Sequence, residues 1–358
     1  MIQRERLLAT LLDLVRIPGP SGQEERVAEA IAQRLRSWGL QPRRDAIGNL
    51  WARLEGEGEP LVLTAHMDTV GPAAQINPVL RDGVIYSDGT TILGADDKAG
   101  IAIILEVLAV LRERGLRHRP IEVLFTVQEE TGLHGAKQFD LSQLEAKMCL
   151  GLDSGGDPGT IIVSAPAQDS LRAAIHGRSA HAGVNPEAGI NAIRVAAEAI
   201  VAMPLGRIDA ETTANIGIIS GGSATNIVPD LVTLRGEARS RNAAKLEAQT
   251  RAMVAALERA AQAHGAKAEI EVRREYEAYH LDGDSPIFAL VSAAMRSLNI
   301  EPRPIPTGGG SDANVFNAAG LATVQLSAGM AEVHTPQEHV ALEDMVTAAK
   351  IILACVRL

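Results

Sequence analysis

The sequence has little of several features that characterise other classes of protein. Aromatic residues make up only 3% of the 358 residues, and there are two cysteines, Cys149 and Cys355. Both cysteines lie in apolar segments, which predicts buried thiols in a reducing compartment and not a disulfide framework. No apolar run is long enough to span a membrane, and the amphipathic N-terminal segment lacks the apolar core of a signal peptide. We therefore expect a cytoplasmic protein with no membrane partner.

Clustered positive charge is also missing. The net charge is −10, the isoelectric point is near 5.5, and no basic stripe is present. A nucleic-acid partner is therefore not expected. Hydrophobic residues amount to 46% of the chain, and its length allows a large core and more than one domain.

The first 153 residues alternate predicted helices and strands. Leucines at helical spacing over residues 3–16 end at Pro18, and Ser21 and Glu24 have the spacing of a capping box that opens a second helix. The segments PLVLTAH, PIEVLFTV and KMCLGLD are continuous apolar runs, typical of strands buried on both faces. This alternation predicts an α/β fold with a mostly parallel sheet, in which ligands bind beyond the carboxyl ends of the strands.

Residues 168–276 follow a different pattern. Their predicted elements have the order β-α-β-β-α-β, which is that of a ferredoxin-like domain. We therefore predict that this segment is an inserted α+β domain, and that residues 1–167 and 277–358 form the two parts of a catalytic domain.

Histidines and acidic residues follow several of the apolar runs. They are His66, Asp68, Glu129, Glu130, Asp153 and His334. The segment GADDKAG adds Asp96 and Asp97 at the start of a long apolar helix. Imidazole together with carboxylate suits zinc and neighbouring divalent ions, and one carboxylate shared by two metals can hold them roughly 3.5–4 Å apart. Taken singly, the Asp pair could instead cap the helix and His66 could be a buried core histidine.

Two pairs of neighbours suggest roles within such a site. Asp68 follows His66 by two residues and could accept the proton of the imidazole nitrogen that faces away from a metal. The side chains of Glu129 and Glu130 point in different directions, so one could bind metal while the other carries a proton. The triple glycine that contains Gly309 and Gly310 offers bare backbone as the wall of a site for an extended substrate.

Eight segments together resemble a known family. In chain order they are TAHMDTV, GADDKAG, FTVQEETGLHGAK, GLDSGG, GRSAHAGVNPEAGINA, TNIVPD, GEAR and VHTPQE, and they span nearly the whole chain. The chain resembles the di-zinc exopeptidases and amidohydrolases, a family that contains peptidase T, glutamate carboxypeptidase and aminoacylase. The segments GADDKAG and IYSDGTTIL are most similar to the peptidase T branch.

The resemblance implies a zinc exopeptidase-like fold, with the sheet sandwiched by helices and the inserted domain serving as a lid or for dimerisation. It also implies two Zn²⁺ ions, for which Co²⁺ or Mn²⁺ could substitute. Carried over to this sequence, the ligands are Asp96 as the bridge, His66 and Asp153 for one ion, and Glu130 and His334 for the other. Asp68 is then the partner of His66 and Glu129 the general base. The bond between Asp96 and Asp97 is expected to be cis.

In the inserted domain the resemblance implies three functional residues. His181 would support the oxyanion, often from the partner subunit of a homodimer, while Asn226 and Arg239 would hold a carboxylate of the substrate. The planar guanidinium of arginine suits such a bidentate pairing. The alternatives are that His181 only caps a helix and that Arg239 is an ordinary arginine in a surface salt bridge.

Three functions are compatible with these observations. The first is a peptidase T-like aminopeptidase that releases the N-terminal residue of short peptides such as tripeptides. The second is a related carboxypeptidase or N-acyl amino acid amidohydrolase, because the metal ligands are shared across these branches. The third is a non-catalytic binding or scaffold protein built on the same fold.

Overall fold

The chain divides into two compact units. The structure is a computed structural model and describes residues 1–73 and 75–358. Unit 1 comprises Met1–Val163, His280–Pro306 and Ser311–Leu358, and unit 2 comprises Ser164–Tyr279 and Thr307–Gly310. None of the helices in the described ranges is both long enough and apolar enough to cross a membrane.

Helices occur throughout the described part of the chain. In the described residues they are α1 (Arg4–Val15), α2 (Glu25–Ser37), α3 (Ala95–Arg114), α4 (His134–Gln138), α5 (Ala192–Ala202), α6 (Ala243–His264), α7 (Pro286–Ser297), α8 (Asp312–Ala318) and α9 (Leu342–Val356), with short 3₁₀ turns at Leu141–Gln143 and Pro186–Ala188. Helix α3 is buried along nearly its whole length, as its apolar sequence requires, and ends at Gly115 with a φ of 56°.

The strands form three sheets. In the described residues they are β1 (Arg43–Arg44), β2 (Leu50–Leu54), β3 (Leu61–His66), β4 (Val79–Arg81), β5 (Val84–Tyr86), β6 (Ile121–Thr126), β7 (Met148–Gly151), β8 (Thr160–Ala165), β9 (Ala167–His176), β10 (Gly206–Arg207), β11 (Thr212–Gly221), β12 (Leu231–Ser240), β13 (Lys267–Tyr276), β14 (Tyr279–His280), β15 (Arg303–Pro306), β16 (Ala322–Leu326), β17 (Met330–Ala331) and β18 (His339–Ala341).

The largest sheet has the order β1-β2-β6-β3-β7-β16-β8-β14, with β15 paired to β8. Its central strands β6, β3, β7 and β16 are parallel, whereas β2 and β8 join them antiparallel. Every residue of β3 and β6 is buried, as the continuous apolar runs predicted. The predicted mixed, mostly parallel α/β sheet is therefore confirmed.

Alternate residues of the central strands enter two different cores. Leu61 and Leu63 of β3 belong to the large core that contains α1, α2, α3 and α9. Val62 between them packs into a second core with Phe139 and Phe316. Because side chains of a strand alternate between the faces of the sheet, helical elements cover both faces. A small sheet of order β17-β18-β5-β4 carries the segment that holds His334 between β17 and β18.

Unit 2 contains one antiparallel sheet of order β10-β11-β12-β9-β13. Together with α5 and α6 this is the ferredoxin-like arrangement that the order of elements predicted. Residues of β9 alternate between buried and partly exposed positions, and its buried residues Leu171, Ala173 and Ile175 pack against α5 and α6. One face of this sheet is therefore covered by helices.

The capping box predicted at Ser21 and Glu24 is wrong. Helix α2 begins at Glu25, and Glu24, the residue before it, makes no side-chain capping bond. The Ser21 hydroxyl instead donates to Asp68, and the Glu24 carboxylate accepts backbone N–H groups of Gly22 and Gln128. Both side chains therefore bond to groups outside helix α2, and neither caps it.

Candidate active site

The carboxyl ends of three parallel strands in unit 1 bring the predicted acids and one histidine together. His66 is the last residue of β3, Glu129 and Glu130 follow β6, and Asp153 follows β7. Strand β3 pairs with both β6 and β7 in parallel, so these ends lie side by side. Asp96 joins them from the first turn of α3.

Asp96 lies between the two predicted imidazole ligands. Its Oδ1 atom is 3.2 Å from Nε2 of His66, and its Oδ2 atom is 3.3 Å from Nε2 of His334. The same His334 nitrogen is 2.8 Å from Oε1 of Glu130. Each carboxylate oxygen of Asp96 thus faces a different histidine, as a bridging ligand requires. The bond between Asp96 and Asp97 is cis, as the resemblance implied.

Two sets of side chains are arranged so that each could hold one metal ion. One contains His66, Asp96 and Asp153, and the other contains Asp96, Glu130 and His334, with the ligand atoms of each set within 4.8 Å of one another. A third set within the same distance contains His66, Glu129 and Glu130. The predicted ligands are therefore neighbours, and imidazole plus carboxylate is a donor set that fits a pair of divalent ions.

The electrostatics of this cluster favour a bound cation. Burial raises the pKa of Glu129 and of Asp153 well above the ordinary carboxyl value, and nearby carboxylates add to the rise. Burial acts the same way on Asp96, but hydrogen bonds with His334 and His66 outweigh it and lower the pKa of Asp96. The contacts with Asp96 and Glu130 raise the pKa of His334 to about 10. Several acids thus compete for few positive partners, a conflict that a divalent cation would relieve.

The backbone of Asp68, more than its side chain, orients His66. Nδ1 of His66 lies 2.9 Å from the Asp68 carbonyl oxygen and 3.5 Å from its carboxylate Oδ1. A proton on Nδ1 that is donated to this carbonyl leaves the lone pair of Nε2 directed at Asp96. The Asp68 carboxylate instead accepts the backbone N–H groups of Glu129 and Glu130, at 3.0 and 3.2 Å.

Two buried residues support the loop that carries Asp96. Glu338 accepts N–H groups from Leu93, Gly94 and Asp96 at distances of 2.9, 2.8 and 3.0 Å. Lys98 is fully buried, and its Nζ donates to the carbonyl of Ile17 at 2.8 Å. Sequence reasoning gave neither residue a role, although Glu338 ends the VHTPQE segment and Lys98 lies within GADDKAG. Asp97 accepts the N–H of Gly100 at 3.1 Å and so caps the first turn of α3.

In unit 2 the structure brings His181 and Asn226 together. The N–H of Ala182 donates to the carbonyl of Asn226 at 2.9 Å, and His181 pairs with Ile227 in an isolated bridge. Nδ1 of His181 accepts the N–H of Gly183 at 3.1 Å, so the neutral ring carries its proton on Nε2. His181 and Asn226 are both exposed, and the Nε2–H group is directed away from the bond that fixes the ring.

Arg239 lies on β12 and already has an acidic partner. Its Nε and Nη2 atoms donate to the two carboxylate oxygens of Glu237, at 2.9 and 3.0 Å.

The two glycines predicted to line the substrate site have different surroundings. Gly310 packs against Tyr276 so closely that a Cβ atom on Gly310 would lie 2.2 Å from the tyrosine ring. Gly309 is exposed and donates its N–H to the hydroxyl of Thr307 at 3.2 Å.

A comparison with protein families matches this arrangement. The model described as peptidase family M20/M25/M40 matches residues 62–358 of the chain. The chain belongs to this peptidase family. The match confirms the resemblance found in the sequence and the prediction of a peptide-hydrolysing enzyme.

Proteins similar in sequence to this chain include a bacterial peptidase. A Bacillus subtilis protein, named uncharacterized protein YqjE, is 41% identical, and the match covers 99% of each chain. A peptidase T of Listeria monocytogenes is 28% identical, over 84% of this chain and 75% of the relative.

Solved structures that are similar to this chain confirm the fold over nearly its whole length. An aminopeptidase PepT from Bacillus cereus superposes with a TM-score of 0.89 at 40% identity, covering 99% of this chain and 98% of the other. A tripeptidase from Staphylococcus aureus superposes with a TM-score of 0.94 at 39% identity, with the same coverage. The likeness to the peptidase T branch is thereby confirmed.

Proposed function

We propose that this chain is a metal-dependent exopeptidase that releases the N-terminal residue of short peptides, tripeptides in particular. The observation that carries the proposal is Asp96, whose two oxygens face His66 and His334 while Asp153 and Glu130 complete two sets of donors. The names of the Bacillus cereus and Staphylococcus aureus structures support an aminopeptidase acting on tripeptides.

The cofactor in this proposal is a pair of Zn²⁺ ions, with Co²⁺ or Mn²⁺ as possible substitutes. His66, Asp96 and Asp153 would hold one ion, and Asp96, Glu130 and His334 the other. When bound, the pair would acidify a water molecule and polarise the scissile carbonyl. Removal of metal by a chelator should abolish hydrolysis and zinc should restore it, whereas activity that survives complete metal removal would contradict this part of the proposal.

Glu129 is the proposed general base. It is buried, and burial raises its pKa, which favours a group that takes a proton from water and passes it to the leaving amine. Glu129 also lies within 4.8 Å of donors in His66 and Glu130, so ligation of metal is the alternative role. A Glu129→Gln variant that retains both metals but not activity would support the base.

The residues in unit 2 are proposed to bind the substrate. The Nε2–H of His181 would donate to the developing oxyanion, and Asn226 with Arg239 would hold a substrate carboxylate. Because the guanidinium of Arg239 already donates to the Glu237 carboxylate, a substrate carboxylate would have to displace Glu237. Gly309 would form part of the substrate wall. We propose the same for Gly310, whose packing on Tyr276 also explains why it has no side chain.

We further propose that the chain forms a homodimer through unit 2. In the described part of this unit, β10 pairs with β11 only at Thr213 and Ala214, which leaves the rest of that edge open to a second strand. Ile218 and Ile219 on β11 are about half exposed and supply an apolar contact surface. Small-angle scattering that gives a monomer with full activity would contradict the dimer.

Mixing two inactive variants tests whether His181 acts across this dimer. Glu129→Gln retains His181, and His181→Ala retains Glu129. If the histidine serves the partner's site, mixed dimers contain one complete site each, and an equimolar mixture should recover about a quarter of wild-type activity. No recovery, with subunit exchange verified, would place His181 in its own subunit's site.

We also propose how the chain divides into functional domains. Residues 1–167 and 277–358 would form the catalytic domain, and residues 168–276 would form the lid and dimerisation domain.

A cytoplasmic location is also proposed, and it is supported by the two buried free thiols, Cys149 and Cys355.

A substrate panel decides between the proposed function and the related amide hydrolases. We expect product analysis of an unblocked tripeptide, with zinc supplied, to give the N-terminal amino acid and a dipeptide. Release of the C-terminal residue would indicate a carboxypeptidase. Preference for N-acetyl amino acids would indicate an amidohydrolase and would reject the aminopeptidase.

A further inference from the structure

Two buried carboxylates bind three consecutive N–H groups of the loop that carries Glu129 and Glu130. The N–H of Gln128 donates to Oε1 of Glu24 at 3.0 Å. The N–H of Glu129 donates to Oδ1 of Asp68 at 3.0 Å, and that of Glu130 to Oδ2 of Asp68 at 3.2 Å. Hydrogen bonds from N–H groups to carboxylates are stronger than those between neutral groups, so this loop is held at three successive positions.

The loop also turns at this point. Gln128 has a φ of 52°, in the left-handed region that residues other than glycine seldom adopt. The change of direction separates the end of β6 from Glu129 and Glu130. The bond from Gln128 to Glu24 therefore anchors the loop at a residue with an unfavourable backbone conformation.

The segment Ser21–Glu24 supplies the carboxylate of Glu24 and also holds the carboxylate of Asp68 in place. The hydroxyl of Ser21 donates to Oδ2 of Asp68 at 2.6 Å, the same oxygen that accepts the N–H of Glu130. Glu24, only 5% exposed, also accepts the N–H of Gly22 at 2.7 Å. The chain just before this segment is tied to the residues that follow β3, because the N–H of Thr69 donates to the carbonyl of Gly19 at 2.9 Å.

We propose that Ser21 and Glu24 are positioning residues for Glu129 and Glu130, an inference that rests on the function proposed above for those two acids. Ser21 acts through Asp68, and Glu24 acts through the backbone of Gln128. Ser21 and Glu24, whose spacing resembles that of a helix cap, therefore support the loop that carries the proposed base, Glu129, and the proposed metal ligand, Glu130.

The test uses variants that separate the accepting oxygen from the bulk of the side chain. Glu24→Gln keeps a carbonyl oxygen that can accept both N–H groups now bound by Oε1. Glu24→Met has similar length and no such acceptor. Ser21→Ala removes a single hydroxyl and serves as the second loss variant where Glu24→Met does not fold. Gln23→Ala, an exposed position in the same segment, is the matched control.

Kinetics with the zinc-loaded enzyme give the first measurement. Removing a partner that supports a catalytic group typically costs about 10- to 100-fold in activity, so we expect kcat to fall by that factor in Glu24→Met with little change in KM. Ser21→Ala should show a smaller fall. Glu24→Gln should recover most of the wild-type rate, and Gln23→Ala should match wild type.

Hydrogen–deuterium exchange of the metal-free protein gives the second measurement, independent of activity. The N–H groups of residues 128–130 should exchange faster in Glu24→Met and Ser21→Ala than in wild type, and Glu24→Gln should resemble wild type. Val291→Ala, a core variant in α7, controls for a general loss of stability. It should lower the melting temperature without faster exchange of this loop.

Several outcomes would overturn the inference. One is unchanged exchange of residues 128–130 in both loss variants. Another is faster exchange with an unchanged kcat, and a third is a Glu24→Gln variant as impaired as Glu24→Met. A wild-type protein that hydrolyses none of the panel would instead refute the proposed function, and the exchange data would still show whether Ser21 and Glu24 hold the loop.

Discussion

The two units differ in how they present most of their candidate functional residues. In unit 1 the acids lie at the ends of parallel strands, and Asp68, Asp96 and Glu129 are buried. In unit 2, His181 and Asn226 are exposed on loops beside an antiparallel sheet. Burial makes each unpaired charge costly, so the first group needs fixed partners, whereas the second can stay solvated until a ligand arrives. In the proposed function, the buried group holds the metal ligands and the base, and the exposed group contacts the substrate.

The architecture of the sheets explains this difference. Strands β3 and β6 are buried along their whole length, so a polar group at their ends has protein on most sides. The sheet of unit 2 has α5 and α6 over one face, and the buried residues of β9 and β12 alternate with more exposed ones. A parallel sheet covered on both faces therefore creates a sheltered edge, while a sheet covered on one face offers a surface.

The largest expected effect concerns the buried acids. Glu129→Gln removes the proposed proton acceptor and should lower kcat by about 10²- to 10⁴-fold, with both metals retained by elemental analysis. Glu258→Gln, which neutralises an exposed acid on α6, is the control and should leave kcat unchanged. If Glu129→Gln retains both metal ions and is as fast as wild type, then Glu129 is not the base, and the proposed difference between the buried and the exposed residues is wrong.

The next effect concerns the exposed histidine. His181→Ala removes a proposed oxyanion donor and should lower kcat by about 10²- to 10³-fold. The matched control is His176→Ala, a histidine of β9 paired with Glu269 in the same unit. Equal rates for the two variants would mean that His181 only orders its own loop, in keeping with its bond from Gly183.

A smaller effect is expected from the arginine of β12. Arg239→Ala should raise KM about tenfold or more for peptides with a free carboxylate, the cost of one charged hydrogen-bonded pair, and much less for amidated peptides. Arg235→Ala, an exposed arginine on the same strand, is the control. Glu237→Gln should lower KM for the same peptides, since it weakens the partner that the substrate must displace. Equal effects of Arg239→Ala on free and amidated peptides would refute the carboxylate role.

The smallest effect tests the stability of unit 2. A hydrogen bond from the Glu211 N–H and the contact with Lys245 lower the pKa of Asp209 from 3.8 to about 2. Because the pKa of Asp209 is lower in the folded state than in the unfolded state, its negative charge stabilises the fold at pH values above about 4. This stabilisation is lost as the pH falls from about 4 to about 2. The urea midpoint of Asp209→Asn should therefore lie slightly below that of wild type at pH 7, and the gap should close in acid. A gap that persists at low pH would assign the effect to something other than this charge.

Much of the fold was predictable because local patterns determine it. Continuous apolar runs predicted β3, β6 and β7, and GADDKAG followed by a long apolar run predicted the start of α3. The predicted helix over 3–16 differs from α1 only at its ends. The proximity of His66, Glu129, Glu130 and Asp153 was predictable for a similar reason, since parallel strands place their carboxyl ends at one edge of the sheet. Asp96, in the first turn of α3, and His334, between β17 and β18, do not follow such strands, and their place in the proposed metal site came from the family resemblance.

Other contacts depend on residues that are distant in sequence, and no periodicity or capping rule describes them. Glu24 meets Gln128 across 104 positions, and Asp68 meets Glu129 across 61. Reasoning from neighbours assigned Glu24 to a helix cap and the Asp68 carboxylate to His66. In the folded chain, backbone N–H groups of a distant loop compete for both carboxylates and bind them.

Spacing and hydrophobicity act over a few residues, and they are enough to predict which segments become strands and helices and which side chains follow the ends of the parallel strands. The use of each buried carboxylate depends instead on the folded chain. A buried charge must be satisfied by whichever donors the fold brings within about 3 Å, and those donors come from segments that the local sequence does not specify.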